Sequence, residues 1–95
     1  MEPIEIPIDG ILDLHTFQPG EIGNLLDDYL TACHQKGIRD VRIIHGKGKG
    51  IQKARVRSLL KKHPLVRNMK DAPQGEGGWG ATLVALKAHV DRPLA

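Results

Sequence analysis

A β-branched run that breaks into a glycine–lysine loop, followed at once by a helical pattern, constrains this chain more than any other feature. Val41-Arg42-Ile43-Ile44 reads as a short strand ending at His45, and Gly46-Lys47-Gly48-Lys49-Gly50 reads as the loop. Glycine has no Cβ, so the backbone can turn tightly and approach a ligand closely. A helix beginning just past the loop points unpaired N–H groups and a partial positive charge back toward it. Strand, cationic loop and helix start together describe a cradle for phosphate with an ionisable ring at its lip.

The periodicities on either side extend this unit into a domain. Ile11-Leu12-Asp13-Leu14-His15 is compatible with a first strand. Pro19 suits the first turn of a helix, and Glu21 suits its positive end. Ile22, Leu25, Leu26, Tyr29, Leu30 and Cys33 then fall on one face, with Gly37 placed to follow the last turn. Asp40 to His45 is the second strand. A second helix has a weaker stripe of Ile51, Ala54, Leu59 and Leu60, and stops before Pro64. Lys53, Arg57 and Lys61, four residues apart, predict a basic ridge on a different face of that helix. Leu65–Lys70 is a third strand, Asp71–Gly80 a loop rich in Gly and Pro, and Ala81–Leu86 a fourth strand. The order β-α-β-α-β-β predicts an α/β fold, a two-layer α+β sandwich with two helices on one face of a four-stranded mixed sheet. Right-handed crossovers place both helices together, and the last strand returns antiparallel because no helix precedes it. Residues 1–10 are expected to form an N-terminal arm, 11–87 the domain, and 88–95 a tail.

Charge is segregated along the 95 residues: residues 1–38 carry net −6, residues 39–70 net +10 and residues 71–95 net −1. A local excess of that size attracts polyanions. Cys33 is the only cysteine, which excludes an intrachain disulfide and a cysteine-type zinc site, and its place on the apolar stripe predicts a buried, inert thiol. The start of the chain is acidic and proline-broken, and no apolar run reaches the about 20 residues that span a bilayer. A cytoplasmic protein without membrane association is the expectation. The glycine loop lacks the last glycine of a dinucleotide fingerprint and the Gly-Lys-Ser/Thr of a nucleotide-binding loop, so no nucleotide cofactor is expected.

If the first two strands are parallel, His15 and His45 both lie at the carboxyl rim of the sheet, where open α/β sheets bind ligands. Alternation along the first strand puts Asp13 on the same side as His15, and a carboxylate in an apolar run calls for a partner such as an imidazole N–H. A histidine at a strand end ordinarily anchors a loop. Two at one rim, beside a carboxylate and a Gly/Lys loop, are candidates for proton transfer at a phosphodiester. His34, His63 and His89 are given no functional role. Trp79, set among glycines in Gly77-Gly78-Trp79-Gly80-Ala81-Thr82, can either stack on a base or fold back over the core edge.

Three segments, Leu12-Asp13-Leu14-His15, His45-Gly46-Lys47-Gly48 and Gly77-Gly78-Trp79-Gly80-Ala81-Thr82, resemble in order and spacing the three signatures of the Smr (small MutS-related) domain. The resemblance runs from about Ile11 to Leu86. It implies a fold similar to the C-terminal domain of bacterial translation initiation factor three, with sheet order 1-2-4-3 and strand four antiparallel. It also implies binding to DNA or RNA and, as in several members, endonuclease activity. On that basis Asp13, His15 and His45 are the candidate catalytic residues. Gly46, Lys47, Gly48, Lys49, Lys53, Arg57, Gly78, Trp79 and Gly80 are the candidate nucleic-acid contacts. Thr16 stands where the first signature commonly has Gly, which narrows the approach to His15. The alternatives carried forward are a non-catalytic module that recognises structured nucleic acid, and a scaffold whose basic ridge docks an acidic partner. Two His and one Asp could equally hold a divalent cation such as Mg or Mn. The chain has no MutS-type ATPase segment, so any link to repair or to the ribosome is expected to come through a larger partner.

Overall fold

The computed structural model describes residues 7–14, 17–46, 51–76 and 80–88. Its elements run β1 (Ile11–Asp13), α1 (Pro19–Gln35), β2 (Asp40–Ile44), α2 (Ile51–Lys62), β3 (Val66–Asp71), a 3-10 turn (Gln74–Glu76) and β4 (Ala81–Leu86). The four strands form one sheet in the order β1-β2-β4-β3. β1 is parallel to β2, and β4 is antiparallel to both of its neighbours. This is the mixed sheet expected from the sequence, and β4 is antiparallel because only a short connection separates it from β3.

α1 forms where the stripe requires it: Ile22, Leu26, Tyr29, Leu30 and Cys33 are buried. The Gln18 N–H donates to the Glu21 carboxylate (2.9 Å), occupying one donor at the helix start. At the other end Gly37 has φ +80°. The Gly37 N–H donates to the His34 carbonyl (3.1 Å) and the Ile38 N–H to the Cys33 carbonyl (2.9 Å), the double closure that favours glycine just past a helix. Tyr29 ties this helix to the start of β1. Its oxygen accepts the buried Gly10 N–H (3.0 Å), and its hydroxyl donates to the Ile11 carbonyl (3.1 Å).

One face of the sheet carries Leu12, Leu14, Val41, Ile43, Val84 and Leu86, all packed with the buried residues of α1 and with Val56 and Leu60 of α2. Both helices therefore cover the same face. The opposite face carries Ile11, Asp13, Arg42, Leu83 and Lys70, the register partners of one another or their next-but-one neighbours.

α2 differs from the reading of its stripe. The buried residues are Lys53, Val56 and Leu60, whereas Ile51 is 73% exposed and Ala54 is exposed. The start of the helix turns Lys53 inward, where it pairs with Asp71 of β3 (3.1 Å), and leaves Ile51 in solvent. The basic ridge consequently winds outward: Lys53 is buried, Arg57 half-buried and Lys61 exposed. β3 is shifted one residue along from its expected span, which brings Asp71 into the sheet as its last residue.

Candidate nucleic-acid interface

Three registers assemble the carboxyl rim. Asp13 of β1 lies opposite Ile44 of β2, and Ile44 lies opposite Ala81 of β4. The Leu14 N–H continues the first ladder to the Ile44 carbonyl (2.7 Å). Just past β2, the N–H groups of His45 and Gly46 both donate to the Gly80 carbonyl (3.0 Å each). The roots of all three sequence segments thus sit in one cross-strand row, neighbouring strands being about 4.8 Å apart. Gly46 has φ +83°, a backbone state open to glycine, and it turns the chain out of β2 toward the lysine loop. His15, Lys47, Gly48, Lys49, Gly78 and Trp79 lie outside the described residues.

His45 is 3% exposed. Its Nδ1 is 3.0 Å from the Gly46 carbonyl and its Nε2 is 2.9 Å from the Thr82 hydroxyl. A carbonyl can only accept, so Nδ1 carries the proton, Nε2 accepts, and Thr82 donates. Burial pushes the imidazole pKa down, and the nearby charges of Lys53 and Arg57 push the same way, against the bond to Gly46. The ring is therefore a neutral imidazole with both nitrogens engaged inside the fold. Thr82, itself fully buried, has the bonding of a hydroxyl next to a base but no exposure through which a substrate could meet it. Together they clamp the exit of β2 to the entry of β4.

Asp13 stands differently from its sequence expectation. Leu12 and Leu14 point into the core, so Asp13 is exposed on the face away from the helices. The apolar run around it does not bury it, because alternation sends its side chain the other way. Nor is it the partner of His45, whose two nitrogens belong to Gly46 and Thr82 on the helix side of the sheet. Asp13 and His45 share the rim but not a face.

Lys53 and Arg57 converge on a residue that sequence reasoning passed over. Lys53 Nζ is 3.1 Å and Arg57 Nη1 2.7 Å from the same oxygen, Oδ1 of Asp71. The bond from Lys53, reinforced by the charge of Arg57, holds the Asp71 carboxyl below its ordinary value. Asp71 is the register partner of Thr82, so this ion cluster adjoins the His45–Thr82 clamp. Its sequence signal was faint, since Asp71 opens what reads as a Gly/Pro loop. Thr82 had been quoted only as the end of a motif.

Two further features complete the description. His63 accepts the Leu65 N–H at Nδ1 (3.1 Å), and its Nε2 donates to Asp27 (2.8 Å), so it joins the end of α2 to α1. A cavity of ≈ 550 Å³ lies on the open sheet face, lined among others by Ile11, Arg42, Lys70 and Leu83, and by none of the expected site residues. Among the described residues no three His, Cys, Asp or Glu side chains come together in a way that could hold a metal ion. None of the described helices is long and apolar enough to cross a membrane.

The decisive comparison is with protein families: the Smr domain model matches residues 12–87, the span that holds every element just described except the first residue of β1. The chain belongs to the Smr domain family. Among similar proteins, endonuclease MutS2 of Caldicellulosiruptor saccharolyticus is 45% identical over 62 residues, which is 65% of this chain and 8% of that protein. Endonuclease MutS2 of Clostridium tetani is 38% identical over 80 residues, 84% of this chain and 10% of that protein. The chain thus spans about a tenth or less of the length of these relatives. Among solved structures, the Smr domain of Thermus thermophilus MutS2 superposes with a TM-score of 0.77 at 35% identity, covering 81% of this chain and 96% of that one. YdaL, a stand-alone small MutS-related protein from Escherichia coli, gives 0.79 at 29% identity, covering 85% of this chain and 66% of that one. This Smr domain shares its two-layer fold with both.

Proposed function

We propose that this Smr domain binds nucleic acid at the carboxyl rim of its sheet and cleaves a phosphodiester there. The observation that carries the reading is the cross-strand row Asp13–Ile44–Ala81, which roots all three signature segments at one rim. The endonuclease name of the MutS2 relatives supports the same reaction class. Asp13, exposed on the open face, and His15, two residues on in the sequence, are assigned to proton transfer on an attacking water or ribose hydroxyl. Lys47 and Lys49 are assigned to the charge that grows on the phosphoryl oxygens. His45 is assigned a positioning role, because its ring already holds Gly46 and Thr82 and keeps the root of the lysine loop against β4.

The test is cleavage of supercoiled plasmid and of structured RNA by the purified protein, with and without magnesium or manganese. Asp13→Asn and His15→Ala should each lower the rate by about 100-fold or more while leaving binding intact, as loss of general acid–base catalysis does. Salt-sensitive binding without turnover in any cation would replace the nuclease by the non-catalytic module. Cleavage that survives both substitutions would remove the residue assignment. A single 2′-deoxy substitution at the cut site then identifies the nucleophile: lost cleavage means the ribose hydroxyl, retained cleavage means water.

A further inference from the structure

The cluster of Lys53, Arg57 and Asp71 is built unlike a simple surface ion pair. Two cations share one carboxylate oxygen, at 3.1 and 2.7 Å. The three members are graded in exposure. The side chain of Lys53 is 9% exposed, that of Arg57 31% and that of Asp71 52%. The carboxylate is thus the outermost of the three, at the very end of β3, while the lysine is seated beneath it. Asp71 reaches Arg57 through one nitrogen only, which leaves the paired, fork-like face of a guanidinium for a second oxygen. A phosphodiester offers the oxygens that would suit such a pair of cations.

We propose that Asp71 occupies the place of a backbone phosphate, so that nucleic acid binds Lys53 and Arg57 by displacing an internal competitor. The inference rests on the nucleic-acid reading given above and deepens it, by assigning one phosphate subsite to α2 and a residue that tunes its affinity. Displacement needs only a rotation of an exposed, short side chain, since the Ala72 N–H stays bonded to the Ala81 carbonyl (3.2 Å) and holds the backbone in place. The subsite lies beside the His45–Thr82 clamp, because Asp71 and Thr82 are register partners. A phosphate there would therefore sit two strands over from the root of the lysine loop, with β4 between them, along the same rim.

The experiment is fluorescence-anisotropy binding of a labelled hairpin RNA and a labelled duplex DNA across a range of salt concentrations. Asp71→Asn should tighten binding by about two- to fivefold, the scale of one exposed charge contact. It should also steepen the slope of log K against log salt by up to about 0.7–0.9, the weight of one phosphate, because no displaced carboxylate then takes up a cation as that phosphate engages. Asp71→Glu should behave as wild type. Asp28→Asn, at an exposed position on α1, changes net charge equally and should leave the slope unchanged. If Asp71→Asn weakens binding, or if Asp28→Asn reproduces its effect, the carboxylate only orients the cations or only adds to net charge, and the proposal is overturned. Should Asp71→Asn melt early because Lys53 loses its counter-ion, the comparison moves to Lys53→Met against Lys53→Met/Asp71→Asn. The double variant must then bind more tightly and more steeply than the single. Wild-type protein that binds neither probe at low salt overturns the nucleic-acid reading and this one with it. Wild-type binding without a change in slope overturns this one alone.

Discussion

At the scale of single residues, two side chains do more for the fold than their types suggest. Tyr29 satisfies the buried Gly10 N–H and the Ile11 carbonyl, and burial pushes its hydroxyl pKa up to about 12. Tyr29→Phe keeps the ring but strands a buried donor, so urea denaturation should show a loss of about 1–3 kcal/mol. His45 is comparable. Removing its ring leaves the Thr82 hydroxyl without its acceptor and frees Gly46 from β4. His45→Ala should cost about 1–3 kcal/mol by the same measurement. It should also raise amide exchange at Gly46, a change that loss of a proton-transfer group alone would not produce.

At the scale of elements, α2 is the informative case. Of the stripe that its hydrophobic residues suggested, Leu59 and Leu60 pack against the core, whereas at the start of the helix a lysine with a counter-ion is buried and Ile51 and Ala54 are exposed. The two ends of that stripe make opposite predictions. Ile51→Ser, at the exposed start of the helix, should change stability by less than about 0.5 kcal/mol. Leu60→Ala, fully buried between helix and sheet, should cost about 2–5 kcal/mol. Equal costs at the two positions would restore the original stripe. Chemical denaturation of the two variants in parallel decides it.

At the scale of the whole molecule, the shifted groups give stability two separate pH windows. His45 has a folded pKa below its ordinary 6.5, so both states are neutral at higher pH and stability is complete there. As pH falls below 6.5 the unfolded chain takes up a proton that the buried ring refuses, and stability drops until the folded ring also protonates. Asp71 has a folded pKa below its ordinary 3.8, so its contribution is present above that value and is lost as pH falls through the lower folded value. The urea midpoint should therefore decline in two steps on acidification. His45→Ala should shrink the upper step, and Asp71→Asn should shrink the lower. A single step that neither substitution alters would contradict the assignment of both groups.

The order of elements, the apolar face of α1, the glycine that ends it and the three rim segments were all legible in the residues, because periodicity and turn chemistry are local properties of a chain. So was the antiparallel return of β4, since the length of a connection limits which way a strand can run. Which face of the sheet each rim residue occupies was decided only on folding. Asp13 and His45 were adjacent in a rim drawn from sequence, yet the pleat turns one to solvent and the other into the core. The Lys53–Asp71–Arg57 cluster joins residues from α2 and β3, and its geometry depends on how the helix is rotated over the sheet. That rotation is fixed by packing and by the need of a buried cation for a counter-ion, interactions between segments that no single stretch of sequence contains.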